Sequence, residues 1–343
     1  MTEDRTYLPV ADSKAPYFVG IDLGGTGVKF GVVDDLGRTL AWHKIPTEVE
    51  RGPKDASLRI GKAVKDVIVL AGLQHDQIAR VGLASAGTMD IPKGMLIEPG
   101  NLPGWENFAI RKAVSDACGL SVTFANDAAA AAYGEYWLGS GRDSKSLLLL
   151  TLGTGVGCGI IIDGRSLDGV NSHGAESGHI IVNPSDDARW CNCKQRGHLE
   201  AYASATGVTR RMQEMLDSNL PSSLNERLKD GADLTTLMIA EEAEEGDELS
   251  HEVILDTARW LGIGIVTLIH TIDPACVLLG GAMTFGGNES ELGREFLARV
   301  KQEIDDRAFA VLAKRLRLDF ASLGGDAGYF GAAGLAREEF MTL

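Results

Sequence analysis

The chain has few basic residues and no long hydrophobic run. Its 343 residues include 33 Lys and Arg against 48 Asp and Glu, which gives a formal net charge of −15. Such a surface repels nucleic acid and anionic lipid, so we expect no nucleic-acid partner and no membrane partner. The best candidate for a membrane span, LGIGIVTLIHTI, is short and contains His270. The sequence therefore predicts no membrane-spanning segment.

A disulfide framework and a secretion signal are missing as well. The five cysteines form an odd count without disulfide spacing, which indicates a reducing compartment. The polar residues 1–15 lack the apolar stretch of a signal peptide. We expect these residues to form a flexible leader and the protein to be cytoplasmic.

The length and the order of apolar patterns predict two α/β domains. Strand patterns, starting with Tyr17 to Leu23, alternate with helical patterns such as Ala56 to Ala71, which places Leu58 on the apolar face. We expect a small N-terminal domain over 16–125, completed by a C-terminal helix at about 326–343. A larger C-terminal domain is expected over 126–325.

Glycine, by contrast, is abundant, and many of the 42 glycines fall in two stretches of one design. GIDLGGTGVKFGVVD (20–34) and TLGTGVGCGIIIDG (151–164) each place a Gly/Thr-rich turn between two apolar runs. This pattern predicts hairpins whose turns offer backbone N–H groups to phosphate oxygens. Two such turns predict a duplicated domain that closes on a phosphate donor. The candidate phosphate-binding residues are Gly24, Gly25, Thr26, Gly153, Thr154 and Gly155.

Two charged residues flank the first turn. Asp22 ends the first predicted strand, where a carboxylate can hold Mg²⁺ directly or through water. Lys29, on the returning strand, is a candidate phosphate cation. The alternative is a plain hairpin with a solvated Asp22, and the presence of the second turn favours phosphate binding over it.

Asn126 and Asp127 lie between a predicted strand and a predicted helix. Both residue types commonly cap helices, and this is the structural alternative. The functional interpretation makes Asp127 a general base for a substrate hydroxyl during phosphoryl transfer, with Asn126 binding a neighbouring hydroxyl. Both roles can coexist because a cap fixes the position of the side chain.

Four potential metal ligands lie within twenty residues of one another: His179, Cys191, Cys193 and His198. Two thiolates and two imidazoles fit a tetrahedral structural zinc site. Incidental cysteines and surface histidines are the alternative, which the dense spacing disfavours, although the CxC step is tighter than the usual CxxC. Glu176 and Glu200 flank the cluster and are candidate acceptors for sugar hydroxyls.

Two further loops are open to two interpretations each. The loop EPGNLPGW either offers Asn101 to a polyol or is a proline-braced loop anchored by Trp105. Gly280 and Gly281, after the strand in LLGGAM, either permit close approach of a flat group such as adenine or form a structural turn.

From about Tyr17 onward the chain resembles the ROK family (repressors, open reading frames, sugar kinases), and within it the bacterial glucokinases. DLGGTGVKF and LTLGTGVGCGIIIDG are similar to the family's two phosphate loops, and AND is similar to its catalytic segment. ESGH and CNCKQRGHLE are similar to its ExGH and CxCGxxGCxE signatures. His198 replaces the third cysteine of that last signature, and Lys194 replaces the glycine after CxC. A Cys₂His₂ zinc site stays compatible with these changes.

The resemblance implies an actin-like, two-lobed sugar kinase fold of duplicated ribonuclease-H-like domains, with sugar bound in the cleft. It implies that Asp127 is the general base, and that His179 binds zinc through one ring nitrogen and sugar through the other. The implied sugar-binding residues are Asn101, Asn126, Asp127, Glu176, His179 and Glu200. We add Gly87, in the small-residue loop after the strand of RVGLASAG.

The expected activity is transfer of the γ-phosphoryl group of ATP, with Mg²⁺, to the 6-hydroxyl of glucose. Kinases for mannose, fructose, N-acetylglucosamine or N-acetylmannosamine are alternatives of the same class, and ADP or polyphosphate are alternative donors. A sugar-responsive repressor is a rival from another class. It would need a DNA-binding helix-turn-helix, for which the roughly sixteen residues before the first strand are too few. The family commonly forms dimers, so we expect a homodimer.

Overall fold

The computed structural model describes residues 5–229 and 231–342, which form a mixed α/β fold. The strands are β1 (Tyr17–Leu23), β2 (Gly27–Val33), β3 (Thr39–Pro46), β4 (Ile78–Ser85), β5 (Thr88–Asp90), β6 (Met95–Glu98), β7 (Val122–Asn126), β8 (Ser146–Leu152), β9 (Val156–Ile162), β10 (Arg165–Ser166), β11 (Cys276–Gly281) and β12 (Arg317–Phe320). The helices are α1 (Gly52–Leu70), α2 (Ile110–Cys118), α3 (Asp127–Trp137), α4 (Glu200–Ala203), α5 (Ala205–Asp217), α6 (Leu224–Arg227), α7 (Thr236–Glu244), α8 (Glu248–Ile272), α9 (Glu291–Arg307), α10 (Ala310–Arg315) and α11 (Ala327–Thr342).

Ten of these strands form two five-stranded sheets built to the same plan. The strand order is β3-β2-β1-β4-β7 in the first sheet and β10-β9-β8-β11-β12 in the second. In the first sheet β1 pairs antiparallel with β2 and parallel with β4, which pairs parallel with β7. In the second sheet β8 and β11 are parallel, and so are β11 and β12. The repeated order confirms the α/β class and the duplication predicted from the two glycine stretches.

Helix α1 covers one face of the first sheet and agrees with the predicted helix except at one residue. Ile60, Val64 and Val67 are fully buried, and the chain leaves the helix at Gly72, where φ is +74°. The prediction that Leu58 faces the core is wrong, because 68% of its surface is exposed. Leu58 precedes Ile60 by two residues, which places the two on nearly opposite sides of an α-helix.

Helix α11, the predicted closing helix, packs directly on the backbone of β1 and β4. A Cβ on Gly20 would lie 1.9 Å from the carbonyl oxygen of Tyr329, and one on Gly82 would lie 1.8 Å from that of Ala332. Glycine is therefore required at both positions. This close packing places the first turn of α11 beside the carboxyl end of β1.

Helix α8, with 25 residues, is the longest helix among the described residues. Among the described residues it alone is long and apolar enough to cross a membrane, by length and composition only. Polar residues interrupt the apolar run in the sequence, and the helix continues through them. Of its most apolar 18-residue window, 56% is buried inside the protein.

Close contacts group the described chain into two compact units. Unit 1 takes its residues from Met1–Asp143, Gly159–Ala175 and Ser322–Leu343, and unit 2 from Ser144–Cys158 and Glu176–Ala321. The domain boundaries expected from the sequence stay a prediction, since compact units and family domains divide a chain by different criteria. Of the predicted leader, residues 5–15 are described, and Arg5 and Leu8 donate hydrogen bonds to Asp326 and Thr39.

Candidate active site and metal centre

The carboxyl ends of three parallel strands bring the candidates of unit 1 together. Leu23 of β1 lies beside Ser85 of β4, which lies beside Asn126 of β7. The first glycine turn, the loop with Gly87 and the Asn126–Asp127 pair therefore follow one sheet edge. In α/β proteins this is the edge at which ligands bind.

The first glycine turn lies against the loop that carries Asn101. The N–H of Gly24 donates to the carbonyl of Gly27 (3.0 Å), and a Cβ on Gly25 would lie 2.9 Å from the carbonyl oxygen of Asn101. Asn101 is exposed, whereas Trp105 is fully buried and donates its Nε1–H to the carbonyl of Val49 (3.1 Å). The loop is thus anchored by Trp105, as the structural alternative predicts, and it presents Asn101 next to the turn.

Asp22 lies just before the turn in a mostly buried position. Burial raises the pKa of its carboxyl group, and Lys29, whose Nζ lies 3.8 Å from Asp22 Oδ2, opposes that rise. Lys29 also donates to the carbonyl of Gly325 (2.5 Å). A Cβ on Gly328, in the first turn of α11, would lie 2.6 Å from Asp22 Cγ. The positive end of that helix also favours the ionised carboxylate, as a divalent cation would.

Asn126 and Asp127 form the cap of α3, so the prediction that they cap a helix is correct. Asn126 Oδ1 accepts from the amides of Ala128 (2.9 Å) and Ala129 (3.2 Å). Asp127 Oδ1 accepts from the amide of Ala128 (2.8 Å). Both capping side chains are half-buried. Their positions are fixed at the sheet edge, which is compatible with a catalytic role as well.

Two candidate glycines have a structural reason to be glycine. Gly87 has φ of +96°, and a Cβ there would lie 2.5 Å from Pro99 Cα. Gly281 has φ of +92°, and a Cβ there would lie 2.3 Å from the carbonyl oxygen of Leu152. Close backbone packing alone therefore requires glycine at both positions. Gly280 pairs with Thr151 across β8 and β11, so this loop follows the same sheet edge as the second glycine turn.

The second glycine turn, in unit 2, is closed by the N–H of Gly153 donating to the carbonyl of Gly155 (3.0 Å). Glu200, at the start of α4, reaches this turn. Its Oε2 accepts from the amide of Val156 (3.1 Å), and a Cβ on Gly155 would lie 2.4 Å from the same oxygen. A residue selected from the sequence as a sugar ligand is thus also a direct contact of the predicted phosphate turn.

The four predicted metal ligands come together in unit 2. The ligand atoms of His179, Cys191, Cys193 and His198 all lie within 4.8 Å of one another. Cys191 Sγ is 3.7 Å from His179 Nδ1, and Cys193 Sγ is 3.1 Å from His198 Nδ1. Neighbouring ligand atoms of a tetrahedral zinc ion are about 3.3–3.8 Å apart, given its bond lengths. The donor set therefore fits zinc, and the two sulfur–nitrogen distances lie in or near this range.

His179 faces the cluster with one ring nitrogen and a carboxylate with the other. Its Nδ1 is the atom near Cys191, while its Nε2 lies 4.0 Å from Glu176 Oε2. On the other side of Cys191, the thiol donates to Glu200 Oε1 (3.4 Å). A continuous row of side chains thus runs from Glu176 through the cluster to Glu200 and the second turn.

Burial disfavours charge in this cluster when no cation is considered. It raises the pKa of the Cys191 thiol to about 12 and lowers the pKa of His198. Metal ligation requires thiolate and neutral imidazole, so a bound zinc ion would hold Cys191 ionised despite the burial.

The loop that begins with the two cysteines and continues to Gln195 contains a residue in an unfavourable backbone conformation. The amide of Cys191 donates to the carbonyl of Gln195 (2.8 Å), and that of Lys194 to the carbonyl of Cys191 (2.9 Å). Lys194 has φ of +67°, in the left-handed region that glycine adopts without steric cost. The glycine that the ROK signature has at this position is therefore the better fit to the backbone.

Two threonines contact the turns without any sequence signal that marks them as functional. Thr47 Oγ1 donates to the carbonyl of Gly24 (2.6 Å), and Thr206 Oγ1 to that of Thr154 (2.9 Å). Neither lies in a recognisable motif, since one follows β3 and the other begins α5. Only the tertiary structure reveals them.

Comparisons with known proteins place this geometry in a family. The ROK family matches residues 18–339. A glucokinase from Halalkalibacterium halodurans is 31% identical over 323 residues, which is 94% of this chain and 96% of that protein.

Two solved structures are similar over nearly the whole chain. The ROK hexokinase from Thermus thermophilus has a TM-score of 0.80 at 30% identity, covering 95% of this chain and 100% of that one. A ROK glucokinase from Streptomyces griseus, in complex with glucose and AMPPNP, has a TM-score of 0.72 at 30% identity, covering 94% and 99%. These neighbours confirm the predicted actin-like, two-lobed fold class.

Proposed function

The chain belongs to the ROK family, and from that premise we propose that it is a sugar kinase of the glucokinase type. The proposed reaction transfers the γ-phosphoryl group of ATP to the 6-hydroxyl of glucose. The observation that carries the proposal is the position of Asp127, fixed by the α3 cap on the same sheet edge as the first glycine turn. The similarity to proteins named glucokinase supports glucose as the sugar.

Asp127 acts in this proposal as the general base. Its carboxylate accepts the proton of the sugar hydroxyl while the oxygen of that hydroxyl bonds to the γ-phosphorus and the bond to the β-phosphate oxygen breaks. A positioned base of this kind accelerates a reaction by about 10²–10⁴-fold. The cap to Ala128 holds the side chain in place without a cost in reorganisation.

The two glycine turns bind the phosphates through their backbone amides. The residues proposed for this role are Gly24, Gly25, Thr26, Gly153, Thr154 and Gly155. Lys29 adds a positive charge beside the first turn, and Asp22 holds Mg²⁺ directly or through water. The loop of Gly280 and Gly281 approaches the adenine.

The residues proposed to bind sugar hydroxyls carry amide, carboxylate or imidazole side chains. In unit 1 the proposed ligands are Asn101, Asn126 and Asp127, with the backbone at Gly87. In unit 2 they are Glu176, His179 and Glu200. Glu176 contacts His179, and both His179 and Glu200 contact Cys191, so these contacts hold the three side chains in position.

Zinc is proposed as a structural ion held by His179, Cys191, Cys193 and His198. When bound, it would supply a rigid cross-link between the two histidines and the cysteine loop. His179 is then oriented by its Nδ1, which leaves Nε2 and the neighbouring Glu176 to contact sugar.

Several further properties follow from the family and the composition and are proposed with this function. The protein is cytoplasmic, forms a homodimer, and has no nucleic-acid or membrane partner. The domains are those expected from the sequence, 16–125 with 326–343 and 126–325, preceded by a leader over 1–15.

The test is ATP consumption with a panel of sugars: glucose, mannose, fructose, N-acetylglucosamine and N-acetylmannosamine. Asp127→Ala serves as the blank. We expect strong turnover with glucose and none in the blank. Turnover only with another sugar would correct the substrate, and no turnover with any sugar would contradict the kinase assignment with ATP.

A further inference from the structure

In both glycine turns, two carbonyl oxygens accept hydrogen bonds from residues outside the turn. In unit 1 the buried Thr47 donates its Oγ1–H to Gly24 O (2.6 Å) and its amide to Thr26 O (3.2 Å). In unit 2 the amide of Ala205 donates to Gly153 O (2.8 Å), and Thr206 Oγ1 donates to Thr154 O (2.9 Å). Each turn is therefore held by one hydroxyl and one backbone amide.

These contacts determine where the turn amides point. A trans peptide unit is planar, and its C=O and N–H point in opposite directions. Fixing Gly24 O toward Thr47 therefore directs the N–H of Gly25 away from Thr47. In the second turn, fixing Thr154 O toward Thr206 directs the N–H of Gly155 away from α5. Glycine peptides rotate easily, and these ties restrict that rotation.

Both threonines are themselves held by regular structure. Arg59 of α1 donates to the carbonyls of Pro46 and Thr47, which ties Thr47 to a helix packed on the sheet. Thr206 lies in the first turn of α5, where Ser204 caps the helix by accepting from the amide of Gly207 (3.1 Å). Each hydroxyl is thus a fixed donor placed behind a glycine-rich turn.

We propose that Thr47 and Thr206 are positioning residues that orient the amides of the two phosphate-binding turns. This inference rests on the proposed function, because it assigns the turns to a nucleotide phosphate. Neither threonine contacts the reacting groups. Each acts through the carbonyl oxygen that it holds.

The test compares four variants: Thr47→Val and Thr206→Val remove the hydroxyl at nearly constant volume, and Thr47→Ser and Thr206→Ser retain it. Thr39→Val and Thr209→Val are matched controls, since their hydroxyls bond to Tyr329 and to the α5 backbone instead. Calorimetry with Mg²⁺ and AMPPNP gives nucleotide affinity, and steady-state kinetics give KM for ATP and for glucose.

Each valine variant should weaken AMPPNP binding and raise KM for ATP about tenfold, which corresponds to about 1.4 kcal/mol. KM for glucose should change less than twofold. The serine variants and both controls should stay within about threefold of the unchanged protein. A general loss of packing would raise both KM values and would not be rescued by serine.

Unchanged AMPPNP affinity in a folded valine variant, or equal loss in the valine and serine variants, would overturn the positioning role. If Thr47→Val does not fold, the Thr206 pair decides by the same criteria. An unchanged protein that neither binds AMPPNP nor phosphorylates any sugar would instead overturn the proposed function, so the two failures are distinguishable.

Discussion

The two glycine turns share a backbone design but differ in the source of their charged groups. The first, Gly24 to Gly27, is one residue longer than the second, Gly153 to Gly155, and both are held from behind by a threonine. Asp22 and Lys29 lie on the first turn's own strands, and the matching positions around the second turn are Thr151 and Gly157. The acid that contacts the second turn is Glu200, which comes from α4 beside the cysteine and histidine cluster.

The same contrast holds at the sheet edges. Strand β7 ends at Asn126 and is followed by Asp127, whereas its counterpart β12 ends at Phe320 and is followed by Ala321. Duplication has thus kept the backbone of the turn that we propose to bind phosphate in both units, while the side chains at the edge have diverged. In our account the base and the cations belong to unit 1, and the metal-braced sugar ligands belong to unit 2.

The largest expected effect comes from removing the proposed base, Asp127 of unit 1. Asp127→Asn keeps an oxygen that can accept from Ala128 but cannot take a proton from the sugar, so kcat should fall by about 10³-fold. AMPPNP affinity should stay within twofold. Steady-state kinetics and calorimetry check both, with the surface variant Asp116→Asn as control. Retained turnover within severalfold would remove Asp127 from the role of base.

The next test compares equivalent positions beside the two turns. Asp22→Asn removes the proposed Mg²⁺ ligand and should lower kcat about 10²-fold. Thr151→Val, at the matching place in unit 2, should change kcat less than threefold because this threonine carries no charge. Equal effects from the two substitutions, measured at several Mg²⁺ concentrations, would contradict the division of roles.

A smaller effect is expected when the zinc ion that we propose to hold the sugar-binding residues of unit 2 in place is lost. The purified protein should contain about one zinc ion per chain by mass spectrometry of metals, lost in Cys191→Ser but kept in the buried control Cys118→Ser. KM for glucose should rise about tenfold in Cys191→Ser, with KM for ATP changing less, because His179 and Glu200 both contact Cys191. Purified protein without stoichiometric zinc would refute the metal site.

The smallest effect concerns the backbone of the cysteine loop. Lys194→Gly relieves a left-handed residue and should raise the free energy of unfolding of metal-free protein by about 1 kcal/mol. Gly197→Ala should do the opposite, since a Cβ there would lie 2.0 Å from the carbonyl oxygen of Asn183. Urea denaturation with chelator measures both changes. If Lys194→Gly instead lowers the free energy of unfolding, the lysine side chain stabilises the fold by more than its left-handed backbone conformation destabilises it.

Features that depend on local chemistry were predictable from the sequence. The glycine turns, the Asn126–Asp127 cap and the cluster of two cysteines and two histidines are encoded by residue type and spacing within short segments, and the sheet edges follow from strand order. Leu58 was misplaced because a helical face is sensitive to a shift of two residues. Thr47 and Thr206, and the contact of Glu200 with Val156, arise from segments far apart in the chain, so no local pattern reveals them.

The most direct test of the central claim is amide hydrogen exchange at both turns with and without saturating Mg²⁺ and AMPPNP. If both turns bind the phosphates of the nucleotide, peptides containing Gly24–Gly27 and Gly153–Gly155 should both exchange more slowly in its presence. Asp127→Asn should show the same protection, since the base does not bind the donor. Protection of one turn alone, or of neither, would contradict the account.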